Sequence, residues 1–226
     1  MKIDSSTYTV LGQGDYPIMA FHGFSQDYQA FEELSKNAPS LRIYCFKLFA
    51  HGFPLPQSRE LLKKRWVQAM GDWLEEQAWD RYGLLAFSMG NRSALQLLRY
   101  YPEKFNHAAL LAPEGMSVHP VFWMATQTRV GRGLFRRAAN PKLLTYGVRK
   151  MGQIMRWPLA ITSLWMREIA QRPERLYEAW QLYKGWEMLP QDLLPSLPPS
   201  LPIDIWLAKN DPYVMTGYPA LLSREH

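Results

Sequence analysis

Tyr82-Gly83-Leu84-Leu85-Ala86-Phe87-Ser88-Met89-Gly90-Asn91-Arg92 decides the fold of this chain. An apolar run from Leu84 to Phe87 leads straight into Ser88, and the helix-forming run Ser93-Ala94-Leu95-Gln96-Leu97-Leu98 follows. The pattern predicts a buried strand turning sharply into a helix, with a serine at the apex. Two positions either side stand small residues, Ala86 and Gly90, as they must where strand and helix backbones pass close. On such a turn the serine hydroxyl is pushed out of the sheet, and the helix N-terminus behind it favours developing negative charge. Standing alone, a serine at a strand–helix junction is more often a helix cap. Its meaning therefore depends on partners elsewhere in the chain.

At 226 residues and 47% apolar content, the chain is expected to form one sizeable domain with room for an inserted subdomain. It contains no run of eighteen or more apolar residues, so no transmembrane helix is expected. The start, MKIDSSTYTV, lacks the apolar stretch of a signal peptide, and a cytoplasmic location is the expectation. The single cysteine, Cys45, lies in a strand-like run and reads as a small buried hydrophobe. There is neither a Cys/His cluster with zinc spacing nor a glycine-rich phosphate loop. No metal and no cofactor are expected.

The net charge of +6 is unevenly placed. Met116 to Ser200 carries twelve Lys and Arg against five Asp and Glu, while the rest of the chain carries fourteen against fifteen. The same segment holds Trp123, Trp157, Trp165, Trp180 and Trp186. So sharp a shift marks a structural insertion over residues 116–200. It ends in the stretch Leu189 to Pro202, whose Pro190, Pro195, Pro198, Pro199 and Pro202 read as a stiff connector. Arg129, Arg132, Arg136, Arg137, Arg149, Lys150 and Arg156 suit an anionic or carrier-linked small-molecule substrate, or weak contact with an anionic membrane surface. A solvated helix face explains them equally well. No nucleic-acid-binding motif accompanies the charge, and no nucleic-acid partner is expected.

Outside the insertion, strand and helix signals alternate. Tyr8 to Val10, Pro17 to Phe21, Leu41 to Leu48, Ala108 to Leu111 and Ile203 to Leu207 read as strands. Tyr28 to Lys36, Glu60 to Glu76 and Ser93 to Tyr101 read as helices. This alternation predicts an α/β fold, a mostly parallel doubly wound sheet with helices on both faces. Sites in such sheets form at the carboxyl ends of the strands.

Three further features fall at those ends. His22-Gly23-Phe24 follows an early strand, and a glycine turn there lets backbone N–H groups face a reacting carbonyl oxygen. Phe24 N–H and Met89 N–H would then form an oxyanion hole. His51-Gly52-Phe53-Pro54 follows the next strand, as a turn whose histidine reads as structural. Lys209-Asn210-Asp211-Pro212-Tyr213 lies just past the last strand, where Asp211 could orient a catalytic histidine. Glu114, directly after the strand ending at Leu111, is a competing acid, ranked behind Asp211 on topology.

Taken in this order, the features resemble the α/β-hydrolase family over nearly the whole chain. The resemblance rests on His22-Gly23, His51-Gly52, the elbow Ala86-Phe87-Ser88-Met89-Gly90, Leu110-Leu111-Ala112-Pro113 and Asp211. It implies an α/β-hydrolase core over 1–115 and 201–226, with 116–200 as a helical cap. It makes Ser88 the nucleophile, Asp211 the triad acid, and Phe24 and Met89 the oxyanion donors. The implied reaction is cleavage of a carboxylic ester or thioester through an acyl-enzyme. Ala86 replaces the first elbow glycine, and Asn91 stands where a glycine is common.

A catalytic histidine is the missing member. In the family it follows a further helix and strand after the acid, and only fifteen residues follow Asp211 here. The expectation is that the chain stops before that histidine. His226, the terminal residue, is the substitute at hand, since His22 and His51 belong to turns, His107 precedes a strand and His119 begins the insertion. A catalytically inactive hydrolase-like binding protein, and a C–C hydrolase or lyase on the same fold, remain as alternatives.

Overall fold

The computed structural model describes residues 1–55, 61–114, 116, 128–131, 133, 146, 150, 173–188 and 190–207. Its strands are β1 (Tyr8–Leu11), β2 (Tyr16–Phe21), β3 (Leu41–Phe46), β4 (Tyr82–Phe87), β5 (Phe105–Leu111) and β6 (Ile203–Trp206). They form one sheet in the order β1-β3-β2-β4-β5-β6. Only β1 runs antiparallel, paired with β3, and every other pairing is parallel. The mostly parallel sheet expected from the alternation is therefore present.

The central strands read as nearly continuous apolar runs because both faces of a parallel sheet are covered. On one face lie Met19, Phe21, Tyr44, Phe46, Tyr82 and Leu84, all buried. Helix α2 (Leu62–Glu76) covers them. Its apolar residues Leu62, Trp66, Met70, Trp73 and Leu74 recur at helical spacing. Trp73 packs edge-on against Tyr8, Tyr44 and Phe46, and Trp66 against Phe21. On the opposite face Ala20, Ile43 and Cys45 pack with Phe31. Each large side chain removed from water in this way contributes on the order of 1.5–3 kcal/mol.

The helix expected over Tyr28–Lys36 is divided. Asp27 accepts a hydrogen bond from Gln29 N–H at 2.9 Å and starts a 3-10 turn, Tyr28–Phe31, which continues as α1 (Glu32–Asn37). Helix α3 (Gly90–Tyr100) begins three residues before the expected Ser93, directly on the elbow. Weak helix formers there are overridden by the backbone bonds Asn91 N–H to Ser88 O at 3.0 Å and Arg92 N–H to Met89 O at 3.1 Å.

The chain divides into two compact units, Met1–Ser117 with Trp186–His226, and Val118–Gly185. In the second, helix α4 spans Pro173–Leu182. In the first, the proline-rich stretch folds as a short helix, α5 (Pro190–Leu193), and a 3-10 turn, Leu194–Ser196. Leu193 is buried, and Arg99 of α3 donates to the Asp192 carbonyl. Among the described residues no helix is long and apolar enough to cross a membrane.

Candidate active site

The strand order reverses direction at β2. The chain leaves β2 for β3 on one side, then returns to place β4 on the other. The carboxyl ends of β2 and β4 thus flank the switch point, where open α/β sheets bind ligands. Register sets Phe21 beside Ala86, so the loop after β2 and the turn after β4 leave the sheet side by side.

Ser88 occupies that turn with φ 49°, in the left-handed region. A non-glycine residue there costs on the order of 1–3 kcal/mol and persists only where its surroundings hold it. The holding contacts are specific. Ser88 N–H donates to Leu111 O at 2.9 Å, and Ser88 O accepts from Asn91 N–H and from Glu114 N–H at 3.3 Å. Gly90 is demanded by the neighbouring loop. A Cβ there would lie 2.3 Å from Phe21 O and 2.6 Å from His22 O, both backbone atoms that cannot swing aside. Ser88 Oγ makes no hydrogen bond to a described residue, and the residue is half-buried.

Met89 precedes α3 as its N-cap, and its N–H makes no hydrogen bond to a described residue. Phe24 lies in the loop after β2. Gly23 N–H donates to Gln26 Oε1 at 2.8 Å, and Gln26 N–H returns a bond to Gly23 O at 3.3 Å, which folds residues 23–26 into a tight turn. His51 fastens the turn from outside. Its Nε2 accepts from Ser25 N–H at 2.8 Å, and its Nδ1 lies 2.9 Å from Phe49 O. Those two partners fix the tautomer, with the proton on Nδ1. Ser25 itself is held at φ 60°.

His22 is buried, with Nδ1 2.8 Å from Gly23 O. His107 lies inside β5 rather than before a strand, and its Nε2 is 2.9 Å from Asp204 Oδ2 on β6. Glu114 is placed close to Ser88 through its backbone, but its carboxylate is turned to Arg92, with Oε1 3.1 Å from Nε. Arg92 is buried and also meets Glu187 Oε1 at 3.0 Å. Asp211, His119 and His226 lie outside the described residues. Among the described residues, Ser88 and Met89 thus lie on the elbow and Phe24 on the adjacent loop.

Three residues of α3 were given no role from the sequence, although Asn91 was noted there in the place of a common glycine. Asn91, fully buried, carries the only available signal, a polar side chain where a glycine would suffice. Arg92 and Gln96 are also buried on α3, and Gln96 Nε2 donates to Trp186 O at 3.0 Å. Neither is foreshadowed by local sequence, because their partners are remote in the chain.

No family model and no curated protein matches the sequence. Solved structures do match. An epoxide hydrolase-like protein from Klebsiella pneumoniae superposes with a TM-score of 0.58 at 15% identity, covering 95% of this chain and 81% of that one. The α/β hydrolase MGS-M2, from a deep-sea metagenome library, gives 0.55 at 14% identity, with 88% and 84% covered. An epoxide hydrolase-like protein from Pseudomonas aeruginosa gives 0.54 at 13%, with 94% and 89% covered. Sheet order, elbow and these likenesses agree, and this chain has the α/β-hydrolase fold.

Proposed function

We propose that this protein is a serine hydrolase that cleaves a carboxylic ester or thioester through an acyl-enzyme on Ser88. The observation that carries the reading is the left-handed Ser88 at the switch point of the sheet, at the N-terminus of α3. Met89 N–H and Phe24 N–H supply the oxyanion contacts, each expected to contribute on the order of 10²–10³ in rate. Asp211 is the acid that orients the base. Glu114 is ranked below it because its carboxylate already serves Arg92.

The chemistry of the nucleophile favours acyl transfer over ring opening. A serine that opened an epoxide would be left as an ether, which water does not cleave at neutral pH. An acylated serine is an ester, and water releases it. The inserted segment, with its excess of Arg and Lys and its tryptophans, is read as a cap that favours an apolar acyl group on an anionic or carrier-linked substrate. The protein is expected to work in the cytoplasm.

Reaction with a fluorophosphonate probe tests the nucleophile. Labelling of the wild type and none of Ser88→Ala is the expected result, together with release of a carboxylic acid from a p-nitrophenyl ester. Labelling without ester hydrolysis would point to a lyase or C–C hydrolase instead. A second reading is a hydrolase-like binding protein without turnover on the same fold. Absence of labelling of the folded protein would exclude the nucleophile reading and favour this one. Weakening of substrate binding across a salt series would support the role given to the basic segment.

A further inference from the structure

Asn91 is fully buried in the first turn of α3. Its Nδ2 lies 2.9 Å from Ser88 O and 3.0 Å from Leu111 O. Both partners are carbonyl oxygens, which only accept, so the atom between them must be the amide nitrogen, with one hydrogen for each. The backbone closes the same knot, since Ser88 N–H also donates to Leu111 O and Asn91 N–H to Ser88 O. The Ser88 peptide is thereby tied to α3 on one side and to the end of β5 on the other. Asn91 Oδ1 is buried and has no hydrogen-bond partner among the described residues. That orphaned carbonyl costs stability, which offsets what the two donated bonds contribute to the fold. What the side chain adds is geometry at one strained residue.

We propose that Asn91 is a positioning residue for Ser88: its amide bridges Ser88 O and Leu111 O and holds the left-handed turn that presents the Ser88 hydroxyl. The catalytic part of this inference rests on the reading of Ser88 as nucleophile, and the test separates the two. Asn91→Ala removes both donors without adding bulk. Asn91→Asp keeps the shape but sets carboxylate oxygens against two carbonyls. Asn91→Ser keeps one donor, and provides a measurable variant should the other two fail to fold.

Two readouts are taken on each folded protein. Amide hydrogen exchange at Ser88 reports the clamp without requiring reactivity. The fluorophosphonate reaction, in which Ser88 Oγ displaces fluoride from phosphorus, is split into reversible binding and the bond-forming rate constant. The Ala and Asp variants should exchange the Ser88 amide faster and lose on the order of 10²-fold in the bond-forming step, with binding unchanged. The Ser variant should fall between them and wild type. Wild-type exchange at Ser88 in any variant that removes a donor overturns the proposal, and so does a loss confined to binding. Faster exchange in the variants beside an unlabelled wild type would overturn the nucleophile reading and leave the clamp supported.

Discussion

Arg92 Nε lies 3.1 Å from Glu114 Oε1, while the N–H of the same Glu114 reaches Ser88 O at 3.3 Å. One residue thus joins the elbow through its backbone and a buried guanidinium through its side chain. Glu187 completes the group from the other side, 3.0 Å from Arg92 Nη1. Removing the cation would leave Glu187, largely buried, and Glu114, partly exposed, without the guanidinium that neutralises them. Arg92→Met is expected to lower unfolding free energy by about 3–5 kcal/mol, read by urea denaturation. Glu114→Gln should cost about 1 kcal/mol or less, because its carboxylate is partly exposed and Glu187 still holds the cation. Glu114→Gln should also keep ester hydrolysis, and Asp211→Asn should lose it. The opposite pattern would make Glu114 the acid.

Gly90→Ala sets two effects against each other. Helix propensity favours alanine by about 1 kcal/mol. The added Cβ would meet backbone oxygens at 2.3 and 2.6 Å, which forces the β2 loop away from the elbow. The steric term should win, with a net loss of about 1–3 kcal/mol. A melting temperature raised by the substitution would contradict the close approach of the two loops.

His51 holds the turn that carries Phe24, and both of its ring nitrogens have partners. His51→Ala should loosen residues 23–26 and slow the reaction of Ser88 by at most on the order of 10²-fold. Loss on the order of 10⁶-fold, the scale expected when a catalytic base is removed, would give His51 that role instead. Steady-state kinetics on one ester substrate distinguishes the two.

Burial pushes the Cys45 thiol up to about 12 from an ordinary value of 9.0. The folded state therefore holds the proton more tightly than the unfolded chain. Below about pH 9 both states are protonated and the contribution is complete; it is lost progressively as pH rises from about 9 towards about 12. Iodoacetamide at pH 8 should leave the native protein unmodified and alkylate it fully in denaturant, as mass spectrometry would show. Cys45→Ala should flatten the alkaline loss of stability over that window.

Most of the fold was legible in the sequence because it is written in local patterns. Apolar runs bounded by turns marked each strand of the sheet, and the helical spacing of Trp66, Met70 and Trp73 marked α2. Helix boundaries were less legible. The start of α3 at Gly90 and the division at Phe31 are set by backbone bonds and packing that no propensity encodes.

By itself, the sequence determined the strand–turn–helix with Ser88 at its apex, the alternation that makes a parallel sheet, and the concentration of positive charge in one segment. Tertiary structure alone decided what surrounds Ser88: that Gly90 faces the carbonyls of Phe21 and His22, that Asn91 bridges to Leu111, that Ser25 leans on His51, and that Glu114 is taken by Arg92. The physical reason is distance along the chain. Strand periodicity and turn chemistry act over a few residues, whereas these contacts join positions 20, 26 and 22 apart for the Asn91, Ser25 and Arg92 pairs. Such partners meet only because the sheet is ordered β1-β3-β2-β4-β5-β6, which sets the ends of β3, β2, β4 and β5 beside one another.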